Sequence, residues 1–342
     1  MLFQQGRIAR LLRAARRRAI IERMNVLVIG GNRFMGVSLV WRLLFAGHRV
    51  TMLNRGRLSD PYGDRVERLR ADRGTDAFDA VLANRSFDRV VDLAGFSGDD
   101  ARRAVRVLAG RIGHYVFVST GQVYLVRESC PRPSREGDYP GPVMAGPPVP
   151  EEHDDWAYGI GKRDAEDVLV AAPDLPSTRL RIPMVNGERD PKRRFEAYLW
   201  RMLDGGPLLL PRGDAIARHV YRGAVVDAIC RILEAPPAPG DAYNLAQREM
   251  PTVRELVELI ARRVGASPRI VEVEPAVIEQ AGLSVRAASP FSSRWMSLLD
   301  PSRAEAELGF VHPPLATYVD AILAELLASW PSAPPEGYHQ RA

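Results

Sequence analysis

The sequence predicts an α/β fold with a doubly wound parallel sheet, and three observations carry that expectation. Residues 25–29 (NVLVI) form a short continuous apolar run, the pattern of a strand buried on both faces. A glycine-rich turn, Gly30-Gly31-Asn32-Arg33-Phe34-Met35-Gly36, follows directly and opens a helical pattern. Strand-like and helical stretches then alternate to about residue 184, which is the mark of βαβ units. Right-handed crossovers put helices on both faces of such a sheet.

Taken in order, the first helical pattern runs from about 34 to 46 and stops at Gly47, a C-terminal glycine. Strands are expected at 49–53, 66–70, 89–93 and 114–119, with helices at 78–83 and 99–109 between them. From 127 to 150 the regularity breaks: seven prolines and three glycines exclude both helix and central strand. A loop of that length in a compact domain reads as a lid or binding loop, here taken to reach residue 156. A helix is expected at 157–171 and a strand at 178–184. Helices follow at 193–203, 224–233 and 253–264, strand-like runs at 242–245 and 269–273, and a last helix at 317–328. Residues 331–342 read as a frayed tail.

Composition narrows the class. The chain has 342 residues, 46% of them apolar and 26% charged, which excludes collagen-like, coiled-coil and largely disordered readings. No apolar run approaches the length of a membrane span. Cys130 and Cys230 are too few for a disulfide framework or a cysteine-rich metal site, and read as reduced thiols of a cytoplasmic protein. The net charge of +5 is local: residues 1–23 hold seven arginines and one acid, so the remainder sums to −1. Ile8, Leu11, Leu12 and Ala15 give that segment a helical apolar stripe. A start at Met24 is the simpler reading of the segment, and a helix for a membrane, nucleic acid or partner is the alternative. Of 47 basic residues only Lys162 and Lys192 are lysine.

Four local patterns carry chemistry. The glycine turn between a strand and a helix lets the backbone bend sharply, and the helix start offers free N–H groups to a pyrophosphate. At the end of the second strand, where an acid would grip the ribose hydroxyls of NAD, stand Asn54 and Arg55. Arginine suits a phosphate, so Arg55, with Arg33 from the turn, points to NADP over NAD. Asp72, just past the third strand, is an expected adenine contact. Tyr158 and Lys162 lie four apart on one helical face, so the ammonium is expected beside the phenol, favouring phenolate and lowering its pKa. Ser119 and Thr120 end a strand at the sheet edge where ligands bind, and a hydroxyl there can bond a reacting oxygen.

With these residues in place the chain resembles the extended, atypical short-chain dehydrogenase/reductase superfamily, the NAD(P)-dependent epimerase/dehydratase type, over about residues 24–330. The likeness rests on the glycine turn, Asp92-Leu93-Ala94-Gly95, the run from Val116 to Tyr124, the Tyr158–Lys162 pair, the run from Arg181 to Gly187, Tyr243-Asn244-Leu245 and Leu308-Gly309-Phe310. The resemblance implies a Rossmann domain over 24–184 and a smaller C-terminal α+β substrate domain over 185–330, with parts of 224–248 returning to the Rossmann sheet. It implies a catalytic triad of Thr120, Tyr158 and Lys162. Cofactor contacts would come from Gly30, Gly31, Arg33, Phe34, Met35, Gly36, Asn54, Arg55, Asp72, Leu93, Ala94, Gly95, Ser119, Tyr158 and Lys162. Substrate contacts would fall on Gln122, Met184, Asn186, Arg218 and Arg222, the two arginines against a diphosphate. No metal is expected.

The departures set limits. Arg33 replaces the family's central glycine, as in the atypical branch that also holds chloroplast stem-loop RNA-binding proteins. Gly121-Gln122 stands where sugar dehydratases carry an acid pair, which disfavours dehydration. Met184 stands where nucleotide-sugar enzymes often place Asn, and methionine donates no hydrogen bond. His153, in the acidic run Glu151-Glu152-His153-Asp154-Asp155, is a candidate second proton-transfer group. The expected function is an NAD(P)-dependent oxidoreductase or epimerase acting on an alcohol or ketone of a small polar substrate, a nucleotide sugar among the candidates. A homodimer is a further expectation, and nucleic acid is not an expected partner. The rival is a non-catalytic nucleotide-sensing or RNA-binding protein on the same fold.

Overall fold

The computed structural model describes residues 23–335 and 337–339, so the apolar stripe from Ile8 to Ala15 lies outside the described residues. The first part of the chain runs β1 (Asn25–Ile29), α1 (Met35–Phe45), β2 (Arg49–Asn54), β3 (Val66–Arg70), α2 (Asp76–Leu82), β4 (Phe87–Asp92), α3 (Gly98–Leu108), β5 (Ile112–Thr120), α4 (Gln122–Leu125), α5 (Pro150–Val170) and β6 (Ser177–Ile182). With β10 (Ala242–Asn244) these strands form one seven-stranded parallel sheet, ordered β10-β6-β5-β4-β1-β2-β3. The order reverses between β1 and β4, both of which end beside the glycine turn, and such a switch point is where open α/β sheets bind ligands.

Helices cover both faces because the strands are apolar on both. On one face α1 and α7 (Arg222–Glu234) bury Leu39, Val40, Val225 and Ile229 against the sheet. On the other, α2, α3 and α5 bury Phe78, Ala104, Ala165 and Leu169. The third helix is started by a capping box between Ser97 and Asp100.

A smaller region has its own core. It holds β7 (Met184–Asn186), α6 (Arg194–Leu203), β8 (Pro207–Leu210), β9 (His219–Tyr221), α8 (Val253–Val264), β11 (Arg269–Glu272), α9 (Pro275–Gln280), α10 (Val285–Ala288) and α12 (Leu315–Ala328), while α11 (Ser302–Leu308) packs back on β10 and α7 of the large sheet. Strand β8 pairs with β11 and β7 with β9. Helices α6, α8 and α12 close over Leu208, Leu210 and Phe291.

Three expectations need correction. Helix α5 begins at Pro150, seven residues before the expected start. Proline at the first helical position lacks only an N–H that would be unpaired there anyway, so a proline-rich approach hid a helix start. Residues 151–156 are therefore helix rather than lid. The expected strand 178–184 is divided at Pro183, its end belonging to β7. The C-terminal segment is tethered: Arg193 donates to the Pro334 carbonyl (3.2 Å) and Arg201 to that of Gly337 (2.8 Å). Tyr338 is buried beside Trp200, with ring centroids 5.8 Å apart.

The loop from 127 to 149 is held by a buried polar network. Glu166 of α5 pairs with Arg181 of β6 (2.6 Å), whose guanidinium also donates to the Tyr124 hydroxyl (2.8 Å) and the Glu136 carbonyl (3.2 Å). Tyr124 donates to Asn244, which in turn donates to the Ser134 carbonyl (3.0 Å). Satisfied networks of this kind fix one arrangement of a loop whose only regular element is a 3-10 turn at Glu136–Asp138. Among the described residues no helix is long and apolar enough to cross a membrane, and no cluster of His, Cys, Asp and Glu is arranged to hold a metal.

Candidate active site

The glycine turn forms one end of the site. Gly30 and Gly31 adopt φ of 103° and 91°, a backbone that side chains disfavour. A Cβ on Gly36 would lie 2.8 Å from the Gly31 Cα, so the turn folds back on itself only with glycine there. Leu93 and Ala94 close its other side, 3.3 and 3.8 Å from where a Gly30 Cβ would stand. Helix α1 has no side-chain cap and no acid in its first turn, which suits a pyrophosphate at its start. Phe34 holds a φ of 45°, a strained conformation for a non-glycine residue.

The expected adenosine end lies past β2. Asn54 accepts from the Gly56 N–H (2.9 Å) and from Arg70, and its amide donates to the Gly30 carbonyl (3.5 Å). Arg55 is exposed, 4.0 Å from Asp72, whose carboxylate accepts from the Gly74 N–H (3.0 Å). Arg33 is exposed in the turn.

The chemical end is a cavity of about 460 Å³ at the carboxyl edge of the sheet. It is lined by Phe34, Met35, Leu93, Ser119, Thr120, Gln122, Tyr158, Lys162 and Met184, joining glycine-turn and strand-end residues to the Tyr–Lys pair. Lys162 is 2% exposed. Its ammonium donates to the Val118 carbonyl (2.6 Å) and sits 4.7 Å from the Phe117 ring centroid and 5.2 Å from that of Phe96. Burial pulls its pKa down to about 8, with Asp92 partly opposing. Arg73 occupies that carboxylate (2.6 Å), and Tyr115 donates to it as well.

Tyr158 departs from expectation. Burial raises its pKa, the neighbouring Thr120 hydroxyl opposes that rise, and the nearby Asp155 charge adds to it. The expected lowering by Lys162 is absent because the ammonium lies 5.8 Å from the phenol ring centroid and bonds a backbone carbonyl. The phenol is therefore protonated at neutral pH. The Ser119 hydroxyl donates to Glu166 (2.5 Å), so it serves the buried network.

Three expected substrate contacts do not line this cavity. Arg218 is buried, donates to the Leu299 carbonyl and has its pKa pushed down to about 10 by burial. Arg222 pairs with Glu188 (2.7 Å) and borders a separate groove beside α1 and α7. Asn186 is fully buried, with neither amide atom partnered among the described residues. His153 is exposed, its ring 5.3 Å from that of Trp156, and does not line the cavity. Two acids line the cavity: Asp190, paired with Arg194, and Asp155, which accepts from Gln122 (3.3 Å) and pairs with Arg286. The place of Asp155 one turn before Tyr158 on the same helix was a usable signal once the helix start was known. Arg286 and Trp295, which also line the cavity, come from far along the chain and carried no local signal.

The chain is 27% identical over 289 residues to a 2'-dehydrokanamycin reductase of Streptomyces kanamyceticus, covering 82% of this chain and 77% of that one. It is 23% identical over 267 residues, 73% of its length, to the chloroplast stem-loop binding protein of 41 kDa b of Arabidopsis thaliana, and spans 66% of that relative, just under two thirds. The fold matches that of a UDP-glucose 4-epimerase of Thermotoga maritima with a TM-score of 0.69 at 19% identity, over 89% of this chain and 99% of that one. Residues 26–246 match the NAD dependent epimerase/dehydratase family, to which the chain belongs.

Proposed function

We propose that this protein is an NADP-preferring oxidoreductase that reduces a ketone, or oxidises the matching alcohol, on a small polyhydroxylated substrate. The observation that carries the reading is the meeting of Thr120, Tyr158 and Lys162 with the glycine-turn residues Phe34 and Met35 in one cavity. The glycine cradle, the uncapped start of α1 and the exposed Arg33 and Arg55 fit a dinucleotide with a 2'-phosphate. When bound, the nicotinamide supplies or takes the hydride.

The side chains then have distinct tasks. Thr120, beside Tyr158 in the cavity wall, would hold the reacting oxygen next to the phenol. Tyr158, protonated at neutral pH, gives its proton to the ketone oxygen as the alcohol forms, and takes it back in oxidation. Lys162, held beside the phenol ring by the Val118 carbonyl, would steady the nicotinamide ribose. Epimerisation uses the same groups on a ketone that stays bound, so the site serves either outcome.

Lys192 lines the cavity without an ion pair among the described residues and is its available cation for an anionic substrate group, whereas the arginines are committed. Arg286 is tied to Asp155 and Arg194 to Asp190 (2.9 Å), while Arg218 and Arg222 face elsewhere. The likeness to a protein named for reduction of a dehydro-compound supports reduction as the first activity to assay. The test is fluorescence titration of the purified protein with NADPH and NADH. NADPH binding tighter than NADH by about tenfold or more is expected from a phosphate-reading arginine. Binding of neither would remove the oxidoreductase reading.

A further inference from the structure

We propose that Arg70 is a second cofactor-selecting residue, positioned by Asn54 and Gly56 to read the 2'-phosphate of NADP beside Arg55. The inference rests on the NADP reading and adds to it a residue from β3. In the sheet register Arg70 stands directly opposite Asn54, so both sit at the strand ends over which the adenosine ribose of a dinucleotide is held.

The local geometry is built around this side chain. Its guanidinium donates to Asn54 Oδ1, the same atom that accepts from the Gly56 N–H. Asn54 thereby spends its acceptor inside the turn rather than on a ribose hydroxyl. Gly56 has a φ of 73°, and a Cβ there would come within 3.0 Å of the Arg70 Cδ and 3.2 Å of its Nε. The absence of a side chain at residue 56 leaves room for the Arg70 side chain beside the turn.

Arg70 also keeps its charge uncommitted. Among the described residues it pairs with no carboxylate, and the nearby Asp60 is taken by Arg68 (2.6 Å). One nitrogen is fixed by Asn54, so the fork is oriented in advance, and the remaining donors are exposed at the nucleotide end. A guanidinium held this way loses little freedom on meeting a phosphate. Asp72 partly offsets Arg55 at 4.0 Å, so of the two arginines Arg70 has the more fully available charge.

The test is the ratio of dissociation constants for NADPH and NADH, measured by fluorescence on the full chain and on Arg70→Gln, Arg55→Gln and Gly56→Ala. Removing a charge-assisted contact should weaken NADPH about tenfold in Arg70→Gln, with NADH within about threefold of wild type. Gly56→Ala keeps the charge but displaces the side chain, and should weaken NADPH while leaving NADH near wild type. Unfolding curves check that each variant is folded. Equal weakening of both cofactors in Arg70→Gln, or an unchanged NADPH constant, overturns the assignment of Arg70 alone. A wild type that prefers NADH overturns the NADP reading with it, and a wild type that binds neither removes the oxidoreductase reading as a whole.

Discussion

Two turns of the same helix bury opposite kinds of cation site. At Lys162 the ammonium is enclosed by a carbonyl and aromatic rings, no carboxylate bonds it directly, and its pKa falls to about 8. One turn on, Glu166 meets Arg181 through two guanidinium nitrogens, and that arginine's pKa is raised by the pairing. Both cations are 2% exposed. The difference lies in compensation. The pair holds a loop and a strand in place, whereas the lysine is kept at a cost to stability, which is the usual sign of a group retained for chemistry.

Breaking the compensated site should have the larger effect on folding. Glu166→Gln leaves Arg181 buried without its counter-charge, a loss on the order of 3–5 kcal/mol. Thermal unfolding should shift down by roughly 10 °C. A shift below about 2 °C would mean that the pair holds little. Replacing the uncompensated cation should act in the other direction. Lys162→Met removes a buried charge of similar volume, so Tm should rise by several degrees while turnover falls at least about a hundredfold. A variant both destabilised and active would reverse the comparison.

The smallest effect is its pH dependence. The folded-state pKa of Lys162, about 8, lies below the roughly 10.4 of an unfolded lysine. Between those values the unfolded chain holds a proton that the folded chain has released, so the stability linked to Lys162 rises with pH. The Tm advantage of Lys162→Met over wild type should therefore shrink between pH 7 and 9.5. A gap that widens over that range would place the lysine pKa elsewhere.

The same contrast explains what the sequence made legible. The strands and the glycine turn are local patterns, and the seven-stranded sheet follows from them with boundaries shifted by a residue or two. The Tyr158–Lys162 spacing is also local, and its convergence with Thr120 on the cavity follows from where parallel strands end. The ionisation of Tyr158 was not legible, because it depends on where the ammonium points and what buries the phenol. Arg218 and Arg222 looked like phosphate ligands in a chain that uses arginine almost everywhere. Only burial and pairing separate them from Arg55 and Arg70. Arg286 and Trp295 lie more than a hundred positions from Tyr158 and share its cavity through tertiary packing alone.

The most direct test of the proposed reaction compares wild type and Tyr158→Phe on whichever ketone of a substrate screen supports NADPH oxidation by wild type. Both the NADPH dissociation constant and the rate of NADPH oxidation are measured. Without the proton donor, turnover should fall by about 10²–10⁴-fold while NADPH affinity stays within about threefold. A Phe variant that turns over within tenfold of wild type would contradict the assignment of Tyr158 as the group that delivers the proton.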